Sequence, residues 1–424
     1  MRSMGNQVTR KSVLPLVLLE SAAGLSTCAN AMVALALPWL VLERTGSPAF
    51  AGVIAAATTL PMLLGSVFAG TIVDLIGSRR TAITADVLSA GSVTAIAVMD
   101  LTGGFSLQVL AVLAFVGSLF DLSGVTARKV LLPTVATRAG KRLETVNGIH
   151  ELVKATALVA GPALGGLLIG SAGVSTALAV AASAPALAAL STVLLPLPGS
   201  GRGSFGPSPF RTTWRGAADG LSAVWCDPLL RLTALTGVAL YMAYLPIVGI
   251  VLPTYFNAQN APERLGLLNV TFAVGGIAGA LGYTFWGHKV GRRSTFVVAM
   301  LTGAAGLLVM SVLPAYGVLL ALAAIVGMAA GPVGPLMNLA SQLRSTEETR
   351  GRVMGIMTSA GYVGGPVGYL IGGPLVDHLG PQTAFAILAS VLFVLAVGAA
   401  VQPALREFDT LSHAGILLSK HAHG

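Results

Sequence analysis

Long apolar runs dominate the chain, broken at intervals by short polar stretches or by glycine and proline. Neither the strict alternation of a half-buried strand nor a narrow amphipathic stripe governs them. A helix needs about 20 mainly apolar residues to cross a bilayer. Twelve such segments are predicted, at 13–42, 49–73, 82–99, 107–127, 146–170, 174–195, 229–256, 265–286, 295–313, 316–340, 354–376 and 382–402. The first is too long for the apolar core of a secretory signal, and its Pro38-Trp39 end offers no convincing cleavage site. It therefore reads as a retained span.

The longest polar break, 196–227, is rich in Gly, Ser, Pro and Arg, as linkers are. It also holds Trp214 and Trp225, so part of it is expected along the membrane surface. It separates six spans from six. The predicted organisation is a six-helix bundle over 1–197, a cytoplasmic loop over 198–227, and a second six-helix bundle with a short cytoplasmic tail over 228–424. The fold class is all-α integral membrane: twelve transmembrane helices in two pseudo-symmetric bundles.

Composition sharpens this reading. Of the 424 residues, 54% are hydrophobic and only 10% are charged, against about 25% charged in soluble domains. Mean hydropathy is +0.83. A soluble enzyme, a disordered chain and a fibrous protein are excluded. Cys28 and Cys226 cannot make a disulfide framework or a zinc site.

The net charge of +9 would suit a nucleic-acid partner if it were gathered in one patch. It is distributed otherwise. With the N-terminus inside, 23 of the 25 Lys and Arg residues fall on the inner face, and only Arg44 and Arg264 fall outside. That bias predicts an even number of spans with both termini cytoplasmic; the expected location is the bacterial plasma membrane, as a multi-pass protein. It accounts for the basic charge with lipid bilayer as partner and no nucleic acid.

The halves repeat. A shift of 207 residues carries Gly148, Gly161, Gly165, Gly166 and Gly173 onto Gly355, Gly368, Gly372, Gly373 and Gly380. A shift of 214 carries Gly77 onto Gly291. Two parallel six-helix repeats are typical of secondary transporters, which hold substrate between the halves near the midplane.

These residues resemble the major facilitator superfamily. Gly70, Asp74, Gly77, Arg79 and Arg80, between spans two and three, resemble its motif A. Arg128 resembles the motif B arginine. Gly161-Pro162-Ala163-Leu164-Gly165-Gly166 resembles motif C, the antiporter motif. The segments Ala127-Arg128-Lys129-x-Leu131-Leu132-Pro133, Thr45-Gly46-Ser47-Pro48 and Arg350-Gly351-Arg352-Val353 are similar to the drug:proton antiporter-3 branch, which holds macrolide-efflux and siderophore-export proteins. The sequence departs from the motifs at Leu75, His288 and Ala157. The resemblance implies a proton-coupled exporter working by alternating access. It also implies that Asp74 faces the cytoplasmic start of span eleven.

Small residues let membrane helices approach closely. Gly161, Gly165 and Gly166 are expected to form one packing face on span five, and Gly275, Gly279 and Gly282 another on span eight. Either face fits plain packing or sliding between states. Gly331-Pro332-Val333-Gly334-Pro335 breaks span ten, as a tolerated kink or as a substrate-facing bend.

Ionisable residues inside lipid usually face a cavity or a partner. The candidates are Glu20, Asp86, Asp121, Arg128, Glu151 and Lys154. Asp121, about 10 Å along the axis from Arg128, is the leading proton carrier, with Glu20 as substitute. Structural pairing is the competing role for both. Glu151 and Lys154, with His150 beside them, are expected to form an ion cluster at the cytoplasmic end. Asn30, Tyr241, Tyr244, Asn269 and Asn338 are candidate cavity residues, or interhelical hydrogen-bonding groups. His421 and His423 are too few to claim a metal.

The expected function is efflux of small hydrophobic or amphipathic molecules by a monomer. It needs no cofactor beyond a proton gradient. The alternatives are an uptake symporter or facilitator, a translocator of lipid-like molecules, and a non-transporting sensor. No catalytic cluster or nucleotide-binding loop is visible, so an enzyme is not expected.

Overall fold

The computed structural model describes residues 12–196, 209–286, 290–345 and 350–408. Every regular element among them is helical. The first half contains α1 (Leu14–Thr45), α2 (Pro48–Ile76), α3 (Ser78–Leu101), α4 (Leu107–Ser118), α5 (Asp121–Ala139), α6 (Leu143–Ala172) and α7 (Val174–Val193). A connecting helix, α8 (Pro209–Cys226), follows. The second half contains α9 (Pro228–Pro246), α10 (Leu252–Asn257), α11 (Pro262–Trp286), α12 (Arg292–Met310), α13 (Tyr316–Ala330), α14 (Val333–Leu343), α15 (Arg350–Leu379) and α16 (Pro381–Ala400).

Three spans are broken helices: α4–α5, α9–α10 and α13–α14. Counting each pair once gives the twelve predicted units. Ten of these, among the described residues, are long and apolar enough to cross a membrane. The other two are α2 and α15, 29 and 30 residues long. Side chains such as Leu152, Leu167, Phe285 and Val394 are 60–68% exposed on the outside. So large an apolar surface would be a liability in water; lipid covers it.

Local chemistry sets the turns. Ser47 caps α2, with Pro48 in the first turn, and Asp227 caps α9 through the Leu229 and Leu230 amides, followed by Pro228. These are favoured helix starts. Gly173 (φ 84°) ends α6 and Gly380 (φ 79°) ends α15. They occupy equivalent places in the two halves, and both need the left-handed backbone that glycine tolerates.

The fourth span runs beyond its predicted end at 127 to Ala139, because a break at Leu119–Phe120 restarts it as α5. The equivalent break in the second half, at Gly331–Pro332, separates α13 from α14. Between α9 and α10 a π-helical turn, Ile247–Val251, follows Pro246. Proline removes one donor of the ladder, and a wider turn re-registers the rest.

The ends of the spans differ. Loops at 77, 140 and 291 and the connecting helix α8 lie at one end, here the basic end, which carries most of the Lys and Arg. Loops at 46, 103, 173, 258–261, 313 and 380 lie at the charge-poor end. Across the halves α2 lies along α15 and α6 along α11. A continuous apolar core joins both halves near the charge-poor end through Trp39, Ile54, Ile250, Phe256, Leu265 and Phe385.

Candidate functional site

The first half buries a set of ionisable side chains. Glu20 of α1 meets Nδ1 of His150 on α6 at 3.0 Å, with the two side chains 7% and 4% exposed. Arg128 of α5 donates to Asp86 of α3 at 2.5 Å, with both side chains almost fully buried. Asp121 opens α5, directly after the break. A carboxylate is favoured at that position by the helix dipole. Ser26 of α1 approaches Asp86 and Asn30 approaches Asp121.

Asp121 lines a cavity of about 140 Å³ with Asn30, Thr58, Thr59, Ser89 and Ser92. Its wall is completed from the second half by Tyr369 of α15. A second cavity, about 370 Å³, lies in the second half. Tyr241, Tyr244, Phe272, Met300, Leu307 and Met337 line it, and the broken span ten contributes Gly331 and Gly334. The Tyr244 and Phe272 rings pack at 5.5 Å. One cavity thus offers a carboxylate and hydroxyl groups. The other offers aromatic and thioether surface, a combination that adapts to varied apolar ligands.

Arg128 pairs with Asp86, because α3 packs beside α5. Other expectations need correction. His150 does not join Glu151 and Lys154. One residue along the helix is a 100° turn, so His150 points inward to Glu20 while Glu151 stays outside. There it pairs with Lys154 at 3.2 Å and lies 4.0 Å from Lys129.

Motif C splits between two partners, since Gly166 lies about 100° around the helix from Gly165. Carbon added at Gly161 would meet Ala31 and the Cys28 carbonyl of α1, and Gly165 also faces α1. Gly166 faces the second half, where added carbon would lie 2.7 Å from the Pro262 carbonyl. The Pro162 carbonyl lies against Gly266. On α11, Gly275 and Gly279 pack against α13, whereas nothing lies within 4 Å of a carbon at Gly282.

The motif A residues sit at the basic end. Gly77 (φ 92°) turns α2 into α3. Arg79 donates to the last carbonyls of α7, Thr192 at 3.2 Å and Val193 at 2.5 Å. Arg80 and Asp74 are exposed, and Asp74 makes no ion pair among the described residues. The surroundings of Gly70 and the position of His288 lie outside the described residues. Neither Asn269 nor Asn338 lines the second cavity.

The halves meet most tightly toward the charge-poor end. Carbon added at Gly52 would lie 2.5 Å from the Tyr369 carbonyl, and Gly373 lies against Pro48 and Ala49. Ser47 and Asp377 join the halves with a 3.2 Å hydrogen bond. Near the basic end, carbon at Gly148 of α6, Gly282 of α11 or Gly355 of α15 would meet nothing within 4 Å.

Thr58, Thr59, Ser89, Ser92, Phe272 and Tyr369 were not singled out by sequence. The one available signal was Ser89, three residues after Asp86 on α3. Tyr369 belongs to the first cavity only through interhelical packing.

Two broken-helix bundles around paired cavities, with buried carboxylates in one of them, define a secondary transporter of the twelve-span type. The family model "Major Facilitator Superfamily" matches residues 20–282 and 247–409, and the chain belongs to that superfamily. It is 37% identical over 406 residues to "Multidrug efflux pump Tap" of Mycolicibacterium fortuitum, covering 94% of this chain and 98% of that protein. The protein of the same name from Mycobacterium tuberculosis is 37% identical over 405 residues, covering 95% and 96%. Among solved structures, the nucleoside transporter NupG shares the fold, with TM-score 0.75 and 13% identity over 91% of this chain and 98% of that one.

Proposed function

We propose that the protein exports small amphipathic molecules in exchange for protons, by alternating access, from the cytoplasm across the bacterial plasma membrane. The observation that carries this reading is the pairing of cavities. Asp121 supplies a proton-binding carboxylate among hydroxyl groups, and the larger second cavity supplies apolar and aromatic surface. The likeness to proteins named multidrug efflux pumps supports the direction and the breadth of substrate. A transporter moves its substrate unchanged, so no chemistry on the substrate is invoked. A proton gradient is the only driving force required.

In this reading the basic end is cytoplasmic, as the placement of Lys and Arg favours. The state described here then faces the cytoplasm, because the halves are in contact toward the other end. The chain works as a monomer, since one chain supplies both the carboxylate cavity and the aromatic cavity. An impermeant thiol reagent should fail to reach a probe at Ser204 from outside intact cells; labelling there would overturn the orientation.

The decisive experiment uses proteoliposomes, an imposed pH gradient and a panel of amphipathic compounds. Uphill movement of at least one compound, lost in Asp121→Asn while counterflow without a gradient persists, is the expected outcome. Full gradient-driven flux in Asp121→Asn would remove Asp121 as carrier. Movement in the same direction as protons would favour uptake.

A further inference from the structure

We propose that Glu20 and His150 form a second proton-binding site, separate from Asp121 and set toward the basic end of the first half. The proposal rests on the exporter reading for its purpose, though not for its test. The two side chains come from different helices, α1 and α6, and touch at 3.0 Å while almost fully buried. Only one carboxylate oxygen is used. Oε1 of Glu20 is buried without a hydrogen-bond partner. A buried acceptor left unpaired is costly, and a purely structural pair would be expected to satisfy both oxygens. An open oxygen beside an imidazole is a place where a proton can be held.

Among the described residues, no other charge forms an ion pair with Glu20 or His150. On α1 the remaining ionisable groups among the described residues are Cys28, about 12 Å along the axis from Glu20, and Glu43 and Arg44 at the far end. On α6, Glu151 and Lys154 pair with each other and Glu144 pairs with Arg142. From α5, Arg128 is committed to Asp86, Lys129 reaches toward Glu151, and Arg138 donates to the Pro196 carbonyl. The described part of α7 carries no ionisable residue, Asp74 on α2 is exposed, and Glu263 and Arg264 on α11 belong to the charge-poor end. Apolar Leu16, Leu19, Leu131, Val135 and Val146 cluster at the basic end of the same helices. The pair can therefore hold and release one proton shared between its two groups.

Its place along α1 gives the exchange a use. Glu20 meets His150, Ser26 approaches Asp86, and Asn30 approaches Asp121. These positions rise along the helix by about 9 Å and then about 6 Å. Three carboxylates thus follow one another along one helix, from buried Glu20 and Asp86 to half-buried Asp121 at the cavity. Asp86 also has a buried oxygen, Oδ2, without a partner.

Infrared difference spectroscopy on the purified full chain tests the site without any substrate. A step from about pH 8 to about pH 6, the range in which histidine titrates, should produce carboxyl and imidazole signals. Glu20→Gln should remove one carboxyl signal and alter the imidazole signal. His150→Gln, which can still hydrogen bond to Glu20, should remove one imidazole contribution among those of the six histidines and alter the carboxyl signal. Either variant giving the wild-type difference spectrum would overturn the proposal. Should Glu20→Gln fail to fold, His150→Gln decides alone. In proteoliposomes both variants should keep counterflow and lose gradient-driven flux. Loss of counterflow in a folded variant would overturn a proton role in favour of a structural one. Absence of transport in the wild type would count against the exporter reading alone, because the spectra are read without flux.

Discussion

The two halves of the molecule share a plan and differ in chemistry. Each has six spans, a broken fourth unit at an equivalent place, and a cavity beside that break. In the first half the chain restarts with Asp121, and Glu20, Asp86, Arg128 and His150 are buried nearby. In the second half the break is Gly331–Pro332, and the cavity beside it is lined by aromatic, aliphatic and methionine side chains. Repetition of the backbone did not carry the charges with it. Buried charge concentrates in one half, and an apolar, aromatic cavity lies in the other.

The largest effect expected from that contrast is at Arg128. Removing one partner of a buried ion pair strands the other, at about 3–5 kcal/mol. Arg128→Gln should lose stability on that scale in denaturant titrations of the detergent-solubilised protein. Arg128→Gln combined with Asp86→Asn should recover much of the loss, because no charge is stranded. Equal stability of Arg128→Gln and wild type would show that the first half does not depend on its buried charges.

Next in size is a contrast within motif C. Gly161 faces α1 inside the first half, whereas Gly166 faces α11 of the second. Overpacking costs about 1–3 kcal/mol, which corresponds to about a fivefold to 150-fold change in population. In Gly166→Leu that change should favour the state open at the charge-poor end. A cysteine at Thr58, with Cys28 and Cys226 replaced, should then react faster with impermeant reagent from that side. Gly161→Leu should lower stability and leave that reactivity unchanged. If both variants behave alike, motif C acts as one surface after all.

Much of this was legible in sequence because the strongest constraint on a membrane chain is one-dimensional. Twelve apolar runs, the break near 196–227 and the repeated glycines set the number of spans and the repeat. What sequence left open was three-dimensional. His150 lies 130 residues from Glu20, and nothing local distinguishes it from the Glu151–Lys154 cluster. Spacing put Arg128 on the stripe of Asp121, yet a neighbouring helix brought Asp86 to it. The small step from Gly165 to Gly166 changes the partner because a helix turns about 100° per residue.

The aromatic cavity should respond more mildly. Tyr244 and Phe272 stack on one another at its wall, and such pairs add about 0.5–1.5 kcal/mol beyond the area they cover. Phe272→Ala should weaken binding of an aromatic compound by about tenfold, as read by the half-saturating concentration in counterflow. The infrared response to a pH step should stay as in the wild type. A changed proton response would mean that the halves are not chemically separate.

The smallest effect belongs to Asp74, at the basic end of α2. The family resemblance places this residue against the start of span eleven, yet here it is exposed and without an ion pair among the described residues. The two statements agree if the contact forms only when the halves close at the basic end. A carboxylate meeting the N-terminus of a helix then gains about 0.3–1 kcal/mol, present in that state and absent in the one described here. Asp74→Asn removes the gain without touching the present packing. It should shift the population toward the present state by about twofold to fivefold, with no loss of thermal stability. Rates of thiol labelling from the two sides would register the shift: a cysteine at Thr58 should react more slowly from the charge-poor side in Asp74→Asn. Unchanged labelling would mean that Asp74 discriminates between no states, and that closure at the basic end rests on other contacts of α2 with α15.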